Sequence, residues 1–151
     1  MNILANNFKK IKLGKKNIFI IEDNEIYAKS LKTFIEARFP NVKTVKIFPI
    51  GEMCLLEMHH NPSIVIVDYF LNSKYGQAEN GLEIIKRIKE LKPLTNIIVL
   101  SAQENFNVAL EAIKRHDCNY VEKNQDAFKK VEQLINEIFN RLTASAFWLW
   151  N

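Results

Sequence analysis

Ile64-Val65-Ile66-Val67-Asp68 is the stretch on which the reading of this chain turns. Four consecutive β-branched apolar residues read as a strand buried on both faces, because a half-exposed strand would alternate polar with apolar side chains. The strand then ends on a carboxylate. In open α/β sheets the C-terminal edge is where ligands and chemistry collect, since the loops leaving it meet at a crevice. An aspartate in this place also commonly starts a turn. The choice between reactive group and turn former depends on whether other strands bring complementary groups to the same edge.

Working outward, Asn17-Ile18-Phe19-Ile20-Ile21 is a second continuous apolar run and ends in Glu22-Asp23. Asn24 is placed to cap a helix to about Phe39, with Tyr27, Leu31, Phe34 and Ile35 at helical spacing and Pro40-Asn41 as its stop. Val42 to Phe48, interrupted by Lys43 and Lys46, suits a strand near the sheet edge. A short helix is expected from about Gly51 to His60, broken by Asn61-Pro62. Tyr69 to Asn80 is polar and reads as a connection longer than most. Gly81 opens a helix carrying Leu82, Ile85, Ile88 and Leu91 on one face; the run 96–100 is a fourth strand, with Ser101 at its end. A helix over 104–114, a strand over 118–122 that ends at Lys123, and a strongly periodic helix over 125–142 complete the pattern. Five strands alternating with five helices mean an α/β domain with a parallel sheet, because parallel neighbours need crossover connections and a helix is the usual one.

Composition fits this reading. Of 151 residues, 48% are hydrophobic and 25% charged, as in one ordinary globular domain. The net charge of +4 invites a nucleic-acid reading. Its distribution argues otherwise: Lys9, Lys10, Lys12, Lys15 and Lys16 precede residue 17 with no acid among them, leaving 16 basic and 17 acidic residues for the remainder. The basicity therefore belongs to a leader, 1–16, ahead of a domain over 17–142 and an apolar aromatic tail over 143–151. No nucleic-acid binding is expected of the domain. No run approaches a membrane span and the leader lacks the apolar core of a secretion signal, so a cytoplasmic protein is expected. Cys54 and Cys118 form no metal or redox motif and read as reduced core thiols. His59-His60 reads as solvated residues at a helix end whose side chains diverge.

Several strand ends thus carry chemistry: Glu22 and Asp23, Asp68, Ser101 and Lys123. With the local signatures Ile-Ile-Glu-Asp-Asn (20–24), Ile-Val-Asp-Tyr (66–69), Gly-Leu-Glu-Ile-Ile (81–85), Ile-Val-Leu-Ser-Ala (98–102) and Tyr-Val-Glu-Lys (120–123), the chain resembles the receiver domain of bacterial response regulators, the chemotaxis regulators among them, from about Asn17 to Leu142. The resemblance implies a doubly wound, flavodoxin-like, three-layered fold with strand order 2-1-3-4-5. It implies an Asp68 that takes a phosphoryl group from a histidine kinase or a histidine phosphotransfer protein, the carboxylate acting as nucleophile. It further implies Mg²⁺ or Mn²⁺ bound by Asp23, Asp68 and the backbone carbonyl of Phe70, with Glu22 supporting through water; such ions favour oxygen ligands and retain waters. Lys123, the Ser101 hydroxyl and the Ala102 backbone N–H would hold phosphoryl oxygens. Ser101 and Tyr120 would form the switch that remodels the face of the fourth helix, fifth strand and fifth helix, where family members also dimerise. Phe70 and Gln103 would flank the phosphoryl group and set its lifetime.

The match has departures. Asn124 follows the lysine where the family usually has proline, which leaves the isomer of that peptide bond open, and Asn72 stands where a second proline is common. The connection between Asp68 and Gly81 exceeds the family's spacing. A receiver fold that acts as an interaction module without phosphorylation is the alternative these changes permit. A haloacid-dehalogenase type phosphotransferase would need a second aspartate where Phe70 stands, and a nucleotide-binding protein would need a Gly-rich loop that follows none of the strands.

Overall fold

The computed structural model describes residues 16–71, 80–102 and 106–149. In chain order these form β1 (Lys16–Ile21), α1 (Glu25–Arg38), β2 (Val42–Phe48), α2 (Gly51–Leu56), a 3₁₀ turn (Met58–His60), β3 (Ile64–Asp68), α3 (Gly81–Leu91), β4 (Asn96–Ser101), α4 (Phe106–His116), β5 (Asn119–Glu122) and α5 (Ala127–Trp148). The strands make one parallel sheet in the order β2-β1-β3-β4-β5, as the sequence predicts.

Side chains on a strand alternate between the two faces of its sheet, and here both faces are covered. Ile18, Ile20, Ile64, Ile66, Ile98, Leu100 and Val121 pack with Leu31 and Ile35 of α1 and with Val131, Ile135 and Ile138 of α5. The intervening residues Phe19, Ile21, Val65, Val67, Ile97 and Val99 pack with Cys54 and Met58 and with Ile84, Ile85 and Ile88 of α3. All five residues of β3 are buried, and its reading as a strand covered on both sides holds. β2, with Lys43 and Lys46 exposed, lies at the sheet edge.

Two elements differ from expectation. The helix expected to His60 stops at Leu56: the Glu57 N–H turns back to the Cys54 carbonyl (2.9 Å), and a 3₁₀ turn ends on Asn61 in the left-handed conformation (φ 51°). A bond to the third residue back tightens the chain as helix ends often do. The last helix, expected to end at Leu142, continues to Trp148. Nothing between Ala127 and Trp148 is glycine or proline, and the Thr143 hydroxyl bonds the Phe139 carbonyl one turn back (2.9 Å). Both cysteines are free and buried. No helix among the described residues is long and apolar enough to cross a membrane. The leader up to residue 15, the 72–79 stretch and Gln103 lie outside the described residues.

Candidate active site at the C-terminal edge of the sheet

Local sequence places each group. β1 runs out at Ile21, and the Glu22 N–H bonds the Phe48 carbonyl of the neighbouring strand (3.0 Å), so Glu22 and Asp23 emerge at the C-terminal edge. Asn24 then caps α1 by accepting from the Tyr27 N–H (3.0 Å). Asp68 closes β3 beside Leu100 of β4, and its Oδ1 accepts from the Phe70 N–H (3.1 Å). Lys123 follows β5, its N–H bonded to the Ser101 carbonyl (2.8 Å).

These arrivals converge. Lys123 Nζ donates to Glu22 Oε2 at 2.6 Å and to Asp68 Oδ2 at 2.9 Å. Carboxylate oxygens of Glu22, Asp23 and Asp68 lie within 4.8 Å of one another. Glu22 is 1% exposed and Asp68 5%, while Asp23 is half-buried. Burial, and then the charge of Asp68, push Glu22 from its ordinary 4.5 up to about 7. Burial likewise raises Asp68, opposed by Lys123. Burial alone would lower Lys123; its hydrogen bond to Glu22 and the charge of Asp68 outweigh that and raise it. Three acids against one ammonium leave an excess negative charge in a place partly closed to water, where charges act strongly. This donor set, all carboxylate oxygen with backbone carbonyls beside it, fits a hard divalent cation such as Mg²⁺.

Other predicted residues border the pocket. Ser101 is fully buried at the end of β4, and its hydroxyl donates to the Ala102 carbonyl (3.3 Å). Tyr120 is half-buried on β5, directing its hydroxyl to the Ser101 carbonyl (3.5 Å). Phe70, whose N–H bonds Asp68 Oδ1, is 40% exposed, with its ring against that of Tyr69 (centroids 5.3 Å). The described residues contain no cis peptide bond, so Lys123–Asn124 is trans. Asn124 instead helps start α5: its side chain accepts from the Asp126 N–H (2.9 Å) and its carbonyl from the Ala127 N–H (3.1 Å).

Sequence reasoning missed one neighbour of Lys123. Its ammonium lies over the Tyr27 ring, 4.5 Å from the centroid. Tyr27 sits in the helical apolar pattern of α1 and read as core; its closeness to the lysine comes from the packing of α1 beside the β5–α5 loop. His59 and His60 also depart from expectation. Their rings lie close, centroids 4.1 Å apart and tilted at 39°, instead of diverging. Both stay exposed, and one Glu57 carboxylate oxygen lies 3.2 Å from Lys46 Nζ and 3.2 Å from His60 Nε2.

The edge-of-sheet acids and lysine agree with a comparison at family level, in which the response regulator receiver domain matches residues 18–136. The chain belongs to this family. Receiver domains are signalling domains, and this one is similar over 68 residues, at 37% identity, to the DNA-binding transcriptional regulator NtrC of Azospirillum brasilense, covering 45% of this chain and 14% of that protein. Over 129 residues it is 22% identical to the photosynthetic apparatus regulatory protein RegA of Rhodobacter capsulatus, covering 85% and 62%. The chain thus spans less than two thirds of either curated relative. Among solved structures, the receiver domain of AraT from Geobacillus stearothermophilus superposes with TM-score 0.72 at 21% identity, over 88% of this chain and 99% of that one. A receiver domain protein of Clostridium thermocellum gives 0.71 at 20%, over 85% and 98%. The response regulator domain of Thermotoga maritima CheB gives 0.66 at 20%, over 86% and 98%. At these identities the structural likeness speaks for the fold.

Proposed function

We propose that this receiver domain is a phosphoacceptor switch that takes a phosphoryl group from a histidine kinase or histidine phosphotransfer protein onto Asp68. The observation that carries the reading is the Lys123 ammonium bridging two buried carboxylates, Glu22 and Asp68, with Asp23 alongside. Asp23, Asp68 and the Phe70 backbone carbonyl would hold Mg²⁺ or Mn²⁺, with Glu22 reaching it through water. When bound, the ion offsets the excess negative charge of the acids and of an incoming phosphoryl group.

The chain's own residues do the rest by position. An Asp68 oxygen attacks phosphorus, a P–O bond forms, the P–N bond of phosphohistidine breaks, and imidazole leaves. Such transfers ask the protein mainly for alignment and charge stabilisation. Lys123 exchanges its hold on Asp68 for a phosphoryl oxygen. The Ser101 hydroxyl and the Ala102 N–H take others, which requires Ser101 to give up the Ala102 carbonyl. The doubly charged phosphoryl group, with its three acceptors, supplies the pull for that change, and Tyr120, bonded to the Ser101 carbonyl, moves with it. The face of α4, β5 and α5 would then be remodelled for a downstream protein or a second copy. The phosphoryl lifetime would be set by Phe70 and Gln103. Cytoplasmic location and contact with proteins, not with nucleic acid, complete the reading.

Intact-mass measurement after incubation with acetyl phosphate and Mg²⁺ tests it, with Asp68→Ala in parallel. One added phosphoryl group in the wild type alone is expected. A folded wild type that gains none would favour the alternative, an unphosphorylated interaction module, for which Asn124 in place of proline speaks.

A further inference from the structure

Among the described residues the Lys123 ammonium meets three side chains, and two of them are carboxylates that the proposed reaction must use. Once Asp68 is an acyl phosphate its pairing with the ammonium ends, and whatever else engages Glu22 competes for the other contact. The third partner is not consumed. The Tyr27 ring presents its face to Lys123 Nζ at 4.5 Å from the centroid, within the range where a cation is attracted by the ring's quadrupole. We propose that Tyr27 is a positioning residue, an aromatic rail that keeps the Lys123 ammonium aimed at the reacting oxygen while its carboxylate partners change. This rests on the phosphoacceptor reading above.

The ring is itself fixed. The Tyr27 N–H is held by the Asn24 side chain in the capping turn (3.0 Å), and its ring meets Phe128 of α5 edge-on, centroids 5.4 Å apart at 77°. Phe128 in turn packs on Phe34, two turns further along α1, again at 5.4 Å. The aromatic group therefore ties the first turn of α1 to the first turn of α5, and Lys123 leads into the latter. Its hydroxyl argues that the ring, and not the phenol, is the working part. It is buried and finds no hydrogen-bond partner among the described residues. A buried hydroxyl without a partner is a cost, so phenylalanine should serve here as well.

The proposal separates from mere packing by a comparison of three variants. Tyr27→Phe keeps the ring, Tyr27→Leu removes it, and Phe128→Leu leaves Tyr27 in place but removes its edge-on support. Two readouts are needed: the maximal rate of phosphorylation by acetyl phosphate at saturating Mg²⁺, and the ring-current shift of the Lys123 side-chain methylene protons by NMR. The second does not depend on phosphorylation. Expected are a near wild-type rate and retained shifts in Tyr27→Phe. Tyr27→Leu should lose the upfield shifts and slow roughly three- to thirtyfold, the span that cation–π attraction supports. Phe128→Leu should fall between. Unchanged Lys123 shifts in Tyr27→Leu, or a wild-type rate, would overturn the proposal. Should Tyr27→Leu not fold, reduced shifts and rate in folded Phe128→Leu carry the same decision. If the wild type accepts no phosphoryl group while the shifts behave as expected, the phosphoacceptor reading fails and the contact between ring and lysine stands.

Discussion

Glu22 shows what this edge of the sheet costs. It is almost closed to water, faces the carboxylates of Asp68 and Asp23, and has Lys123 as its cation. Its pKa, raised to about 7, means that the folded chain keeps a proton the unfolded chain releases near 4.5. Between those values the folded state binds more protons, so the contribution of Glu22 to stability falls as pH rises and is lowest above about 7. Without divalent ions, Glu22→Gln should therefore stabilise the domain by about 1–2 kcal/mol at pH 8. That gain should shrink toward pH 5, and urea unfolding at both values in chelator checks it. Added Mg²⁺ should raise the wild-type midpoint and leave the variant behind. A second residue prediction concerns Phe70, which is 40% exposed and whose N–H bonds Asp68 Oδ1. Should its bulky apolar side chain obstruct an attacking water, as proposed, Phe70→Asn would shorten the phosphorylated lifetime several-fold. Following loss of the phosphoryl mass with time tests this; equal decay would refute it.

At the scale of elements, the long apolar runs were legible because full burial leaves no alternation to confuse the period, and β1, β3 and β4 lie where such runs occur. Helix ends were less so. α2 ends early where the Glu57 N–H turns back to the Cys54 carbonyl, a change that leaves no mark in the apolar spacing, and its start is set by a tertiary fit: Gly51 lies so close to Ile84 of α3 that a Cβ would fall onto its side chain. Gly51→Ala should accordingly destabilise the domain by about 1–3 kcal/mol, as overpacking does, measurable as a lowered thermal midpoint. An unchanged midpoint would mean that Ile84 can move aside. α5 outruns its expected end because the apolar periodicity that marks its core-facing side stops at Leu142 while nothing after it breaks a helix, aromatic residues being only mildly unfavourable there. The pairing of α1 with α5 through Tyr27 and Phe128 was invisible for a related reason. Each ring fits its own helix's core spacing, and only the folded chain shows that one of them also covers a lysine.

For the whole molecule, a parallel sheet with both faces covered yields two cores that do not share side chains. The acids and Lys123 could be read from sequence because each directly follows an apolar run; what could not be read was how Ser101 is turned, since a hydroxyl's direction is decided by its neighbours. Both cysteines sit in covered positions, and burial pushes the Cys54 thiol up to about 12 and Cys118 up to about 11. A thiolate is the reactive form, so native protein at neutral pH should react with a thiol reagent far more slowly than in denaturant. Rapid native labelling of either would show that its core opens on the timescale of the assay.

Alternation along the strands has a further result. Asp68 shares the parity of Ile64 and Ile66, which face α1 and α5, whereas Tyr120 packs toward the layer of α2 and α3. The sheet is a party wall: Asp68, which would receive a phosphoryl group, lodges on one side, and the Tyr120 ring that would report it leans on the other, where Ser101 shares the parity of Ile97 and Val99. News of the event has only one strand's thickness to cross, at β4 and β5. Because the last helix packs on the acceptor's side and Tyr120 on the other, a face made of α4, β5 and α5 would be reached from both sides of the wall at once.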